Sequence, residues 1–137
     1  MSTIRIASLA ALGAALAGAA LAANGISIQR GEDRTVASSC SPTLVIENRS
    51  SEAIDWFQAE LEVTLRDGSR KTLELNSAYR HGIWKRIAPG ERAVLEQRLD
   101  ETRLLGAGCA EIAERRIAAT QCETSGRACA AAVSVQQ

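Results

Sequence analysis

The chain has 137 residues, with 16 Lys/Arg against 16 Asp/Glu and a single histidine. So even a balance, with no block of like charge in the body of the chain, gives no footprint for nucleic acid or for an anionic membrane surface. The length suits one domain with one core and is too short for two.

Met1 to Ala22 has the pattern of a secretory signal peptide. Arg5 is its one positive side chain, Ile6 to Leu21 is uncharged and rich in Ala and Leu, and Ala20-Leu21-Ala22 forms an A-x-A cleavage site. A retained span needs about 20 strongly apolar residues, whereas this stretch is mostly alanine with two glycines. Cleavage after Ala22 is expected, with no stable membrane insertion afterwards. The first cysteine is Cys40, so no lipid-anchoring cysteine follows the small residues. Removing 22 of 137 residues leaves 115, one net negative charge, and a periplasmic or extracellular location as the expectation.

Residues 23–39 are polar and turn-rich and read as a loose lead-in with one short strand at Ile26 to Gln29. Residues 40–137 read as the single folded domain. From Thr43 the apolar period is two. Thr43 to Glu47 is a short strand, stopped by the turn cluster Asn48-Arg49-Ser50-Ser51. Ile54 to Leu65 carries the strongest strand signal, with Leu61, Val63 and Leu65 on one face and Glu60, Glu62 and Thr64 on the other.

Arg70 to Leu75 returns after Asp67-Gly68, and side-chain parity selects the loop between them. A two-residue loop would pair Leu61 with Glu74 and send the two apolar sets to opposite faces. A three-residue loop, Arg66-Asp67-Gly68 with Gly68 left-handed, pairs Leu61 with Leu73 and keeps them together. Asn76 to Gly82 reads as a connection and Ile83 to Ile87 as a short strand. Ala88-Pro89-Gly90-Glu91 has the residues of a type II turn, and Arg92 to Leu99 is a further strand. Asp100 to Gly108 reads as irregular or as one helical turn. Glu111 to Arg116 fits either an exposed helical turn or a strand start. Ile117 to Glu123 and Ala128 to Val135 read as a final hairpin.

Four cysteines in an exported chain indicate two bridges. Cys122 and Cys129 lie symmetrically about Ser125-Gly126, so a tight turn there opposes them at disulfide distance. Four cysteines allow three connectivities, and the one expected joins Cys122 to Cys129 and Cys40 to Cys109. There is no C-x-x-C element and only His81 to join the sulfurs, so neither a metal nor another cofactor is expected.

About seven short strands with turns between them predict an all-β, antiparallel sandwich. Val45-Ile46-Glu47-Asn48, the alternating run into Asp67-Gly68, and Ile87 to Glu91 ahead of a strand resemble small bacterial exported domains with an immunoglobulin-like or fibronectin-like sandwich. The resemblance covers roughly residues 43–99. It departs from the immunoglobulin pattern at the cysteines, since Cys40 precedes its strand and Cys109 falls in a loop. Domains of this kind usually serve adhesion, scaffolding or recognition.

The residues give little support for catalysis, and none is assigned a catalytic role. His81 is the only histidine for a triad, and no serine stands in a nucleophile context. Glu60 and Glu62 share the solvated face of one strand. Gly106-Ala107-Gly108 lacks the lysine and helix of a phosphate loop. Asn48-Arg49-Ser50 fits the glycosylation sequon, which matters only in a eukaryotic route. One cluster stands out: Tyr79, Arg80, His81, Trp84, Lys85 and Arg86 place two of the four aromatics beside the densest run of cations. Either these residues form a binding surface, or Trp84 plugs the core while the cations snorkel outward. The expected function is a non-enzymatic exported domain that binds an unknown protein or envelope component. Inhibition of a secreted hydrolase is the alternative, with a loop anchored at Cys109.

Overall fold

The computed structural model describes residues 24–98 and 104–136. The leader, its cleavage site and the segment 99–103 lie outside the described residues. Two four-stranded sheets enclose one core. The first has the order β12-β1-β4-β9, built from β1 (Ile26–Arg30), β4 (Leu44–Asn48), β9 (Arg92–Leu95) and β12 (Val133–Val135). The second has the order β11-β10-β5-β6, from β5 (Trp56–Leu65), β6 (Arg70–Asn76), β10 (Ile112–Thr124) and β11 (Arg127–Ala128). Two small hairpins accompany them: β2 (Arg34–Val36) with β3 (Ser39–Ser41), and β7 (Tyr79–Arg80) with β8 (Ile83–Trp84).

Strict alternation along β5 explains its central place. Phe57, Ala59, Leu61, Val63 and Leu65 point inward and are buried, while Trp56, Gln58, Glu60, Glu62 and Thr64 are half-exposed on the outer face. Leu73 and Leu75 of β6 join the inward set, facing Ile26, Ile28, Leu44, Ile46 and Leu95 of the other sheet. Each fully buried aliphatic side chain contributes about 1.5–3 kcal/mol. Phe57 is the only aromatic in this core. The remaining three lie outside it.

The turns follow residue chemistry. Leu61 pairs with Leu73 across a three-residue loop, 66–68. Gly68 sits at φ +87°, a conformation that glycine adopts without steric cost, and its N–H donates to Leu65 O at 2.9 Å. Gly90 has φ +84°, and the Glu91 N–H donates to Ala88 O at 3.0 Å, closing the turn that Pro89-Gly90 predicts. Ser125 (φ 50°) and Gly126 (φ 74°) make a two-residue turn between β10 and β11, and the Cys129 N–H donates to Cys122 O at 3.0 Å. The two disulfides are Cys40–Cys109 and Cys122–Cys129, with Cα–Cα separations of 4.7 and 5.4 Å.

Three expectations are corrected. Residues 24–39 are not a loose lead-in: β1 lies between β12 and β4 with Ile26 and Ile28 fully buried, and β2–β3 carries Cys40 into the core. The last strand does not stay in a hairpin with β10. After Cys129 the chain crosses to the first sheet, where β12 runs parallel to β1, with Ile26 opposite Val133 and Ile28 opposite Val135. The sheets are therefore antiparallel except at this edge. Asn76 to Gly82 is not a plain connection either, because it contributes β7. Glu111 to Arg116 is divided: Cys109–Glu111 forms one 3-10 turn and β10 begins at Ile112. No helix among the described residues is long and apolar enough to cross a membrane.

Candidate functional site

The cluster predicted between residues 79 and 86 folds as the β7–β8 hairpin, turned by His81 (φ 53°) and Gly82 (φ 81°). This two-residue turn places Tyr79 opposite Trp84 and Arg80 opposite Ile83. The Lys85 N–H donates to Ala78 O at 2.8 Å, adding one rung to the hairpin. The Tyr79 and Trp84 rings meet edge to face, centroids 4.9 Å apart and planes at 61°. Trp84 also tilts onto Trp56, on the outer face of β5, with centroids 5.9 Å apart.

Trp84 is half-buried and does not enter the core. The reading in which it plugs the core is corrected: the interior is already filled by aliphatic side chains and Phe57, and Trp84 rests on Trp56 outside. Trp56 Nε1 is covered and finds no acceptor among the described residues. Tyr79 is 46% exposed and Ile83 71% exposed. Such solvent-facing apolar area stands out on a hairpin otherwise rich in cations.

Two charged residues outside the predicted cluster complete it. Arg98 places its guanidinium carbon 5.0 Å from the Tyr79 centroid and 5.7 Å from that of Trp84. Contacts of this type contribute about 0.5–1 kcal/mol each at exposed sites. Arg98 lies 12 residues beyond Arg86 in the sequence, so local spacing carries no sign of it. Asp55 accepts a 2.6 Å hydrogen bond from Arg86 Nε through Oδ1 and a 2.7 Å bond from the Ser125 N–H through Oδ2. The Ser125 N–H, foremost, and then the Arg86 guanidinium hold the Asp55 carboxyl below the usual carboxylate range, against an opposing push from partial desolvation. Arg86 is thereby tied down, whereas Arg80, His81 and Lys85 remain exposed at the hairpin surface. Beside them, Asp55, Trp56, Ile83, Trp84, Arg86 and Glu123 line a shallow hollow of about 530 Å³.

Elsewhere the described residues bring together little chemistry. Asp33 lies beside Cys40 and Cys109, but both sulfurs are spent in the bridge. Arg115 engages the same carboxylate through two nitrogens at 2.6 and 2.7 Å, and Arg30 adds a third contact at 3.0 Å. Glu62, on the outer face of β5, pairs with Arg116 at 3.0 Å. Asn48 of the sequon is fully buried. Its Nδ2 donates to Glu52 O and Ile87 O, and its Oδ1 accepts from Ser50, so it closes a turn and is not presented to solvent.

No protein-family model matches the chain, and no curated protein matches it by sequence. Among solved structures, IrmA from Escherichia coli is similar at 15% identity, with a TM-score of 0.51, over 82% of this chain and 91% of that one. At this identity the likeness concerns the fold alone.

Proposed function

We propose that the protein is an exported, non-enzymatic recognition domain whose β7–β8 surface docks on an acidic patch of a partner protein in the periplasm or outside the cell. One observation carries the reading: three of the four aromatic side chains stand outside the core, stacked on one another and under Arg98. Aromatic and arginine side chains are the residues that most often dominate binding energy at protein interfaces. Here Tyr79 and Trp84 sit on a short hairpin that rests on Trp56 of the sheet beneath, so the surface is largely pre-formed. Exposed Arg80 and Lys85 would steer an acidic partner.

The frame we infer is an immunoglobulin-like or fibronectin-like sandwich. In chain order, the first, second and fifth long strands (β1, β4, β9) form one sheet, while the third, fourth and sixth (β5, β6, β10) form the other. That is the A-B-E against C-C′-F arrangement of such folds. The two disulfides suit an oxidising compartment, which supports export. The inhibitor alternative finds less support, because the described part of its candidate loop is tied to β3. Leu105 is fully buried, and the Cys40 N–H and the Ser39 hydroxyl pin 106–107 to β3.

The test is cross-linking of the oxidised protein in an envelope extract of its source organism, beside Arg80→Ala/Lys85→Ala and Ile83→Ser variants. Loss of a specific cross-linked band in both variants, with unchanged melting temperature, is expected. Identical band patterns in wild type and variants reject the surface.

A further inference from the structure

We propose that the free edge of β10 accepts an extended segment of a partner protein as an added antiparallel strand, at a site separate from the aromatic surface. On one side β10 is paired with β5 over its whole length, from Ile112 opposite Leu65 to Glu123 opposite Trp56. On the other side only Glu123 and Thr124 are paired, with Ala128 and Arg127 of β11. The Cys122–Cys129 bridge marks the last contact before the chain departs for the other sheet.

Ladder parity identifies the unpaired groups. The Cys122 carbonyl accepts from Cys129, so the Cys122 backbone faces the open side. Counting back by twos, and stepping over the bulge between Ile117 and Ala119, the next residues facing that side are Thr120, Ile117 and Arg115. Among the described residues, no backbone hydrogen bond meets them there.

Of these, Arg115 and Ile117 line a groove of about 790 Å³ between β10 and the β1–β12 edge of the other sheet. Ile28, Leu44 and Leu61 form its floor; Ile112, Ile117 and Val135 form its walls. A strand laid along β10 would therefore turn every second side chain into this groove, and those side chains should be apolar. The chain itself supplies a template for that seat. Continued straight from β11, its own Ala131, Val133 and Val135 would face inward, but they are held on β1 instead.

Charge then selects the polar positions of the occupant. Arg30 and Arg115 of the groove lining are held by Asp33, whereas Arg116 pairs with Glu62 on the outer face, where the alternate side chains of an added strand would also lie. The Arg116 side chain is 63% exposed, so its head can reach an added strand. An acidic residue between the apolar ones complements this cation. A second copy of the chain fits less well, because it would bring the same cations and the same bulges to the edge, devices that discourage flat self-pairing.

The probe is a short fluorescent peptide of alternating valine and glutamate, titrated by anisotropy into the oxidised protein. Two N-methylated versions give the decisive comparison. Methyl groups on the valine nitrogens, which would face β10, should abolish binding; methyl groups on the glutamate nitrogens, which would face away, should preserve it. Thr120→Pro, which removes an edge N–H while sparing the β5 ladder, should weaken the unmodified peptide about tenfold. Equal binding of both methylated peptides overturns the proposal, as does absence of binding by the unmodified one. Protection of the Arg115, Ile117 and Thr120 amides in a peptide-free dimer overturns it in favour of a second copy. Should Thr120→Pro fail to fold, the methylation pair on wild-type protein still decides. Ile83→Ser leaves peptide binding unchanged if the two surfaces are separate, so failure here and failure of the β7–β8 reading are distinguishable.

Discussion

Asp33 shows how one side chain joins distant parts of the fold. It follows β1, receives Arg115 from β10 through both carboxylate oxygens, and lies beside the Cys40–Cys109 bridge. The Arg115 hydrogen bonds, foremost, hold its carboxyl below the usual range, although partial burial pushes the other way. A carboxyl whose pKa is lower folded than unfolded contributes stability that is complete above its unfolded pKa. That contribution is lost as pH falls from the ordinary carboxylate value, about 4, through the lower folded value. Asp33→Asn should therefore lower stability at neutral pH and flatten the loss of stability below about pH 4. Urea midpoints of wild type and variant between pH 2 and 7 (a range around the ordinary carboxylate value of about 4) check this. Parallel curves across the whole range would mean the pairing contributes nothing. Residue chemistry of this kind is hidden in the sequence, where Asp33 is one charge in Gly31-Glu32-Asp33-Arg34 and its partner is 82 positions away.

At the scale of elements, local parity is legible and long-range partnership is not. Leu61, Val63, Leu73 and Leu75 all need the same face, and only a three-residue loop grants it; the register with Leu61 opposite Leu73 has that form. Deleting Asp67 would leave a two-residue loop and force a choice between exposing Leu73 and Leu75 and breaking the β5–β6 ladder. The expected result is loss of the cooperative thermal transition, followed by near-ultraviolet circular dichroism. By contrast, Gly68→Ala keeps the loop length and should cost only about 1 kcal/mol, because it leaves the register intact. If the deletion variant melts cooperatively near the wild-type temperature, parity does not control this hairpin. The same reasoning fails for β12 because Val133-Ser134-Val135 alternates equally well for either sheet. Its parallel seat on β1 depends on the crossing after Cys129, which no local pattern encodes. The β7–β8 cluster is intermediate. Tyr79 and Trp84 are visible as neighbours of a turn, while Trp56 and Arg98 reach them only through the third dimension.

For the molecule as a whole, the two bridges do unequal work, since the loops they close differ tenfold in length. Cys40–Cys109 spans a sequence separation of 69 and joins β3 to the segment leading into β10; Cys122–Cys129 spans 7 and fastens the β10–β11 turn. In the chain-entropy model the long loop is worth about 4 kcal/mol and the short one about 2.5 kcal/mol. A domain of this size has about 5–15 kcal/mol in total. Replacing both cysteines of the long bridge by alanine should thus bring the fold close to its stability limit. It would also remove Cys40 from the core and loosen the 104–108 segment tied to β3 by the Cys40 N–H and the Ser39 hydroxyl. The same replacement of Cys122 and Cys129 should cost less and act locally. It would leave the β4, β5 and β6 amides protected from hydrogen exchange while those near the β10–β11 turn open sooner. Denaturant midpoints of the two double variants, with exchange read residue by residue, separate these outcomes. A larger loss from the short bridge would place the mechanical centre of the fold at the β10–β11 turn and not at the junction of β3 with β10.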